Sequence, residues 1–469
     1  MASRHRGGAR KRIVLVGTFI ILFWLPEIAC AQEPDTAKYF PILRGLLSQG
    51  MENTPARKIL RSLVDAAPHR LSGSAGAADA VAWAVKTMNE VGLAHVRQES
   101  VLVPHWVRGT VERAEVLGKH PYRLAICALG GSIGTPRDGI SSEVIEVHSL
   151  EEARSLGSVA DGKIIFFNRP MDPTKVNTFE AYGGAVDQRS AGAVEAAKVG
   201  GIAALVRSVS TKHDRVPHTG AMGYQDSVRK IPGVALSTDD ADSLSAFLKR
   251  NPHLKVRIVL NCRTLPDAPS ANVMGEIVGN EMPDQVIVVS GHLDCWDKGE
   301  GAVDDGSGCA QAIEALRLLK AIGVHPKRTI RAVLFMNEEN GDRGGKGYPV
   351  DPARAGEHHV AALESDMGGF APRGFSVDAD SLASRRSNRW RPLFSQLQAA
   401  DWETGYSGTD ITPLVRTGVP GFGLVVESQR YFDYHHSAND VLSAVHPREL
   451  ELGAVAEALL CYLIAEEGL

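Results

Sequence analysis

Residues 286–308 read VIVVSGHLDCWDKGEGAVDDGSG, and few folds accommodate such a stretch. An apolar run of strand type ends in His292-Leu293-Asp294, and a glycine-rich loop then carries Asp304-Asp305-Gly306 to the start of a helix. An uninterrupted apolar strand suits a parallel sheet covered on both faces, whose carboxyl edge is where α/β proteins collect their ligands. A histidine and carboxylates at that edge are donors for a divalent cation.

The chain after Ala271 extends this pattern. Strands are expected at 285–289, 329–335, 360–363 and 419–426, with a helix at 307–322. A closing helix at 447–466 has proline in its first turn and Leu450, Leu452, Val455, Leu459 and Leu463 spaced for a buried stripe. The predicted class is α/β: a mostly parallel mixed sheet flanked by helices. Upstream, helices are expected at 39–49, 54–67 and 75–91, and strands at 101–103 and 110–116. Between about 121 and 263 the texture changes to short β-rich runs, glycine turns and helices at 190–199 and 239–249, without a cluster of catalytic residue types. That segment reads as a β-rich α/β domain inserted into the larger one.

Five cations precede an apolar run at 13–25, and Ala29-Cys30-Ala31 has the small-x-small form of a signal-peptidase site, so residues 1–31 read as a cleaved secretory signal. Thirteen apolar residues fall short of the roughly twenty that span a bilayer. Loss of five cations and one anion with that segment takes the formal charge from −4 to −8, which gives the chain no reason to seek nucleic acid or an anionic membrane. Cys127, Cys262, Cys295, Cys309 and Cys461 remain, an odd and sparse set that forms no disulfide framework. The sequence has no Asn-x-Ser/Thr acceptor, and the expected destination is secreted or periplasmic.

The carboxylates and histidines fall in a pattern. His292, Glu338, Glu339 and Asp366 each follow the carboxyl end of an expected strand. Glu338 and Glu339 are adjacent and leave their strand toward different sides, so one can bind metal while the other faces water as a base. Asp304 is suited to bridge two cations, because a carboxylate has two oxygens and two-metal hydrolases hold their ions about 3.5–4 Å apart. His436 offers a further nitrogen ligand, whereas His358-His359 reads as a surface pair.

These motifs, in order, are HLD at 292–294, DDGSG at 304–308, NEENG at 337–341, ESDMGG at 364–369, GTD at 408–410 and HHS at 435–437. The ordered set resembles the co-catalytic dinuclear zinc metallopeptidases of the aminopeptidase type, and within them the carboxypeptidase Q branch, over the chain from about residue 35 onward. The resemblance implies two Zn2+ per chain, with His292 and Asp366 on one, Glu339 and His436 on the other, and Asp304 between them. It places Glu338 as general base and Asp294 behind His292 as an orienting carboxylate. His436 is preferred to His435 because it directly precedes Ser437, as in the family's His-Ser/Thr pattern. Where many relatives carry Ala before the paired glutamates, this chain has Asn337.

The implied organisation is a peptidase domain at 32–125 and 263–469, with 126–262 as a protease-associated insert that flanks the cleft. The implied activity is exopeptidase or dipeptidase hydrolysis of short peptides, by a chain able to form a homodimer and with no membrane partner once the signal is removed. Two alternatives are a single-zinc glutaminyl cyclase and a receptor-like homologue without catalysis. A serine nucleophile is not supported, since GYSGT at 405–409 lacks the second glycine of a nucleophile elbow. The His-Glu-x-x-His zinc helix is absent as well.

Overall fold

A computed structural model describes residues 36–469, so the expected signal segment lies outside the described residues. Two eight-stranded sheets organise them. In the first, the order across the sheet is Ala94–Val107, Arg263–Ile277, Arg328–Phe335, Met282–His292, His358–Glu364, Gly421–Val426, Pro372–Asp378 and Asp401–Thr404. The central four strands run parallel. Antiparallel pairings flank them on either side, giving the mixed sheet expected.

Alternation along the central strands explains why they read as unbroken apolar runs. Ile287 and Val289 face one core together with Ile330, Ala332 and Leu334, while Val286 and Val288 face another with Val333 and Phe335. Both faces are therefore dry, and the side chains of successive residues fill opposite cores. Helix Ser307–Ala321 covers the first face and packs against Pro55–Ala66 and Pro447–Glu467. The closing helix is buried nearly all round, with Ala454, Ala458 and Leu460 inaccessible as well as the expected stripe positions Leu450, Val455, Leu459 and Leu463. Leu452 is half-buried.

That burial has a cost at Glu457, which is 0% exposed and has no hydrogen-bond partner on either carboxylate oxygen. Burial pushes its pKa well above the carboxyl value of 4.5. The folded chain then holds a proton that the unfolded chain releases, so the stabilising contribution is complete at acidic pH and is lost as pH rises through 4.5 toward the folded value. Until the folded group ionises, each pH unit costs about 1.4 kcal/mol. Glu457→Gln is expected to flatten the fall in Tm between pH 5 and 8, and an unchanged pH profile in a thermal melt would contradict this.

The second sheet is formed by Tyr122–Leu124, Glu112–Leu117, Lys255–Leu260, Ile140–Val147, Ile164–Phe167, Ala203–Arg207, Gly233–Leu236 and Ile126–Ala128, in spatial order. Its strands thus reach back to Glu112, on the N-terminal side of residue 126. Ile164, Phe166, Leu205 and Val234 fill one core, and Ile165, Phe167, Ala204 and Val206 the other. Two contacts from this region reach the turn after Tyr431–Asp433: Thr219 N donates to the His436 carbonyl at 2.9 Å, and His218 Nδ1 lies 2.6 Å from the His435 carbonyl.

His358 is exposed as expected of a surface residue, but His359 is not its equal. The His359 ring packs edge-on against Tyr348, with Nε2 3.1 Å from the phenol oxygen. The five cysteines of the described residues are free and buried. Among those residues no helix is long and apolar enough to cross a membrane.

Candidate metal centre

Parallel strands ending at one edge bring together residues far apart in sequence. His292 is the last residue of Met282–His292, Glu338 and Glu339 follow Arg328–Phe335, and Asp366 follows His358–Glu364. Asp304 enters from the loop before helix Ser307–Ala321, and His436 from the turn after Tyr431–Asp433. His292 Nε2 lies 3.2 Å from Asp304 Oδ1 and 3.2 Å from Asp366 Oδ1. His436 Nε2 lies 3.3 Å from Asp304 Oδ2 and 3.0 Å from Glu339 Oε2. Asp304 thus gives one oxygen to each group.

These acids and imidazoles lie at close quarters, most of them buried and Glu338 and Asp366 half-buried, and they shift one another's pKa. Burial, reinforced by Asp366 and Asp304, pushes Glu338 up to about 8. Burial and the Asp304 charge raise Glu339 well above its ordinary value, and burial raises Asp366. Burial opposes the ionised form of Asp304 too, but the His292 and His436 imidazoles outweigh it and hold that pKa below 3.8. Against its own burial, His292 is pulled well above 6.5 by Asp366 and Asp304. A cation among these donors would replace the imidazolium proton and compensate the carboxylates.

The donor set suits such an ion. His292, Asp304 and Asp366 form one triple whose donor atoms lie within 4.8 Å of one another, and Asp304, His435 and His436 form another. Oδ2 of Asp304 is buried without a hydrogen-bond partner. Two imidazoles and three carboxylates are borderline-hard donors of the kind zinc takes. His435 stands behind His436, the rings stacked at 3.5 Å, and its Nε2 is 3.8 Å from Asp304 Oδ2. His436 is the nearer, and it alone of the two also meets Glu339.

Asp294 is where the structure departs from the expected contact. The nearer partner of His292 Nδ1 is the Asp294 backbone carbonyl, at 3.0 Å, while the carboxylate oxygen is 4.0 Å away. Oδ1 of Asp294 accepts instead from the amides of Asn337 at 2.7 Å and Glu338 at 3.1 Å. The residue therefore ties the His292 loop to the backbone that carries the paired glutamates, orienting His292 through its main chain. Asn337 sits at φ 79°, a left-handed conformation that asparagine tolerates better than alanine, and its amide donates to Ser72 Oγ at 2.8 Å.

A surrounding layer of buried groups received no role in the sequence reading. Asp305 accepts from the His292 and Gly308 amides, both at 2.9 Å, and Asp440 accepts from the Val303 amide at 2.6 Å. Glu364 accepts from the amides of Thr409 and Ile411 at 2.9 Å. Arg70 is fully buried and donates to the carbonyls of Leu293, Glu300 and Gly301, pinning both ends of the metal loop. Asp305 and Glu364 lie inside the short motifs, a usable signal, and Asp440 lies three residues past the last of them; Arg70 carries no such signal. Cys295 and Cys309 are buried thiols, with Cys295 raised to about 11 by burial. Neither belongs to a donor triple among the described residues, and Cys309 Sγ donates to the His292 carbonyl at 3.0 Å, which suits packing.

The centre opens into a cleft of about 800 Å³ whose walls include Glu338, Asp366, Arg373 and Tyr406 from the first sheet and its loops and Phe179, Tyr182 and Arg189 from the second region.

Comparison with known proteins decides the family. Residues 272–460 match the model of peptidase family M28. Carboxypeptidase Q of Bos taurus is 37% identical over 437 residues, covering 92% of this chain and 91% of the relative. The chain belongs to peptidase family M28. It is therefore a metallopeptidase, with carboxypeptidase Q among its homologues. The crystal structure of a peptidase M28 precursor from Shewanella amazonensis SB2B superposes with a TM-score of 0.87 at 32% identity, covering 91% of this chain and 96% of that one. A zinc aminopeptidase from Bacillus subtilis shares the fold with a TM-score of 0.64 at 18% identity, covering 88% of this chain and 95% of its own.

Proposed function

We propose that this M28 chain is an exported two-zinc exopeptidase that hydrolyses dipeptides and short peptides. The observation that carries the two-metal reading is the division of Asp304, with Oδ1 toward His292 and Oδ2 toward His436. His292 and Asp366 would hold one zinc, Glu339 and His436 the other, and Asp304 would bridge. Bound there, the ions would acidify a water and polarise the scissile carbonyl.

The remaining chemistry belongs to the chain. Glu338 takes the proton of the attacking water and delivers it to the leaving amine as the C–N bond breaks, a task open to it because it lines the cleft beside the donor set. Asp294 holds the Glu338 amide and so fixes where that carboxylate starts. Phe179 and Tyr182 line the cleft from the side of the proposed insert at 126–262. The apolar run at 13–25 supports export.

The test is release of free amino acids from unblocked dipeptides and from their N- and C-blocked analogues, with zinc and after chelation. Zinc-dependent release from unblocked dipeptides is expected. Hydrolysis indifferent to chelation would contradict the proposal, and cyclisation of N-terminal glutamine with one bound zinc would favour the cyclase reading.

A further inference from the structure

We infer that Arg108 is a positioning residue for one of the two proposed zinc ions: by gripping Asp297 and Thr219 it holds Glu339 and His436 as a pair, while the first sheet alone holds His292 and Asp366. The inference rests on the two-zinc reading above and divides the two sites by what supports them. Arg108 lies where the chain crosses from strand Ala94–Val107 of the first sheet to Glu112–Leu117 of the second. Its guanidinium is buried, and each of its three nitrogens has an acceptor. Nε donates to Asp297 Oδ2 at 2.8 Å and Nη2 to Asp297 Oδ1 at 2.6 Å, a two-pronged pair with the loop that follows His292 and Asp294. Nη2 also donates to Thr219 Oγ1 at 3.2 Å, and Nη1 to the Ala128 carbonyl at 2.5 Å.

Both arms of this grip lead to ligands of the same ion. Beside Asp297, the Trp296 amide donates at 3.2 Å to Glu339 Oε1, the oxygen opposite the one that meets His436. The Trp296 ring is buried in the core of the second region, where a Cβ at Gly130 would run into its six-membered ring. It stands edge-on to Trp106 at 6.4 Å and to His436 at 5.8 Å. Its Nε1 has no hydrogen-bond partner, so packing places the ring. On the other arm, Thr219 N donates to the His436 carbonyl at 2.9 Å. His436 has φ 60°, a left-handed backbone that a residue with a Cβ keeps only where its surroundings hold it. The Thr219 amide is one such hold.

The other pair is supported differently. His292 N donates to Asp305 and its Nδ1 faces the Asp294 carbonyl, both within its own loop, and Asp366 follows strand His358–Glu364. Removing an outer partner of a metal ligand typically weakens binding by about 10- to 100-fold. Releasing Arg108 should therefore reach one ion and spare the other.

The experiment titrates zinc into the chelated full chain by calorimetry and locates the ions in crystals by anomalous scattering. The native chain is expected to take up two ions. Arg108→Met should weaken one Kd by about 10- to 100-fold and leave the other unchanged. At one zinc per chain, its anomalous peak should stand against His292 and Asp366. Asp297→Asn, a smaller change at a half-buried residue, should weaken the same Kd by a smaller factor, and it carries the test if Arg108→Met fails to fold. A general loosening of the fold would weaken both ions together. Equal weakening of both, no weakening of either, or a peak against Glu339 and His436 at one zinc per chain would overturn the inference. A native chain that takes up a single zinc would overturn the two-zinc reading, and this division of the sites with it.

Discussion

Glu338→Ala is expected to bind the full complement of metal and to lose about 10² to 10⁴ in kcat, the usual contribution of a general base. Of the four carboxylates Glu338, Glu339, Asp304 and Asp366, it is the one with no imidazole nitrogen within ion-pair distance among the described residues, whereas the others each have at least one. Removing it therefore should not dismantle the donor set. The Asp294 link to residue 338 uses the backbone amide and survives the substitution. Steady-state kinetics with metal content measured on the same sample would check this. Near-normal turnover in a metal-loaded Glu338→Ala chain would remove Glu338 from the mechanism.

Asp304→Ala should be more damaging still, because one carboxylate serves both donor groups. Its loss leaves His292 with Asp366 and His436 with Glu339, two ligands each, and at most one weakly held zinc is expected per chain. With ions contributing several kcal/mol of transition-state stabilisation, a fall in turnover of about 10³-fold or more follows. Stability provides an independent reading. Zinc at about 1,000 times its Kd adds roughly 4 kcal/mol to the folded state of the native chain, so its Tm should rise with zinc while that of Asp304→Ala stays flat. A variant that kept two zinc ions and the native Tm response would show that Asp304 is not shared.

Much of this site was readable because it sits where continuous apolar strands stop. Strands such as Arg328–Phe335 are dry on both faces, so their composition announces them, and the acids that follow stand out against it. The strand Arg263–Ile277 left no such mark: its first half is polar, contains two prolines and pairs with Ala94–Val107 as a ribbon wet on both sides. Pro372–Asp378 and Asp401–Thr404, at the far edge of the sheet, are short and interrupted and were equally hidden. The role of Asp294 was misjudged in its contact because side-chain type fixes what a carboxylate can accept, and only the fold decides which amides are near.

The central claim is that two cations share Asp304. Crystals of the zinc-loaded protein, measured above and below the zinc absorption edge, test it without reference to any substrate. Two anomalous peaks about 3.5–4 Å apart are expected, one against His292 and Asp366 and the other against Glu339 and His436, with an Asp304 oxygen on each. A single peak, or two peaks of which one is ligated by His435 in place of His436, would contradict the account.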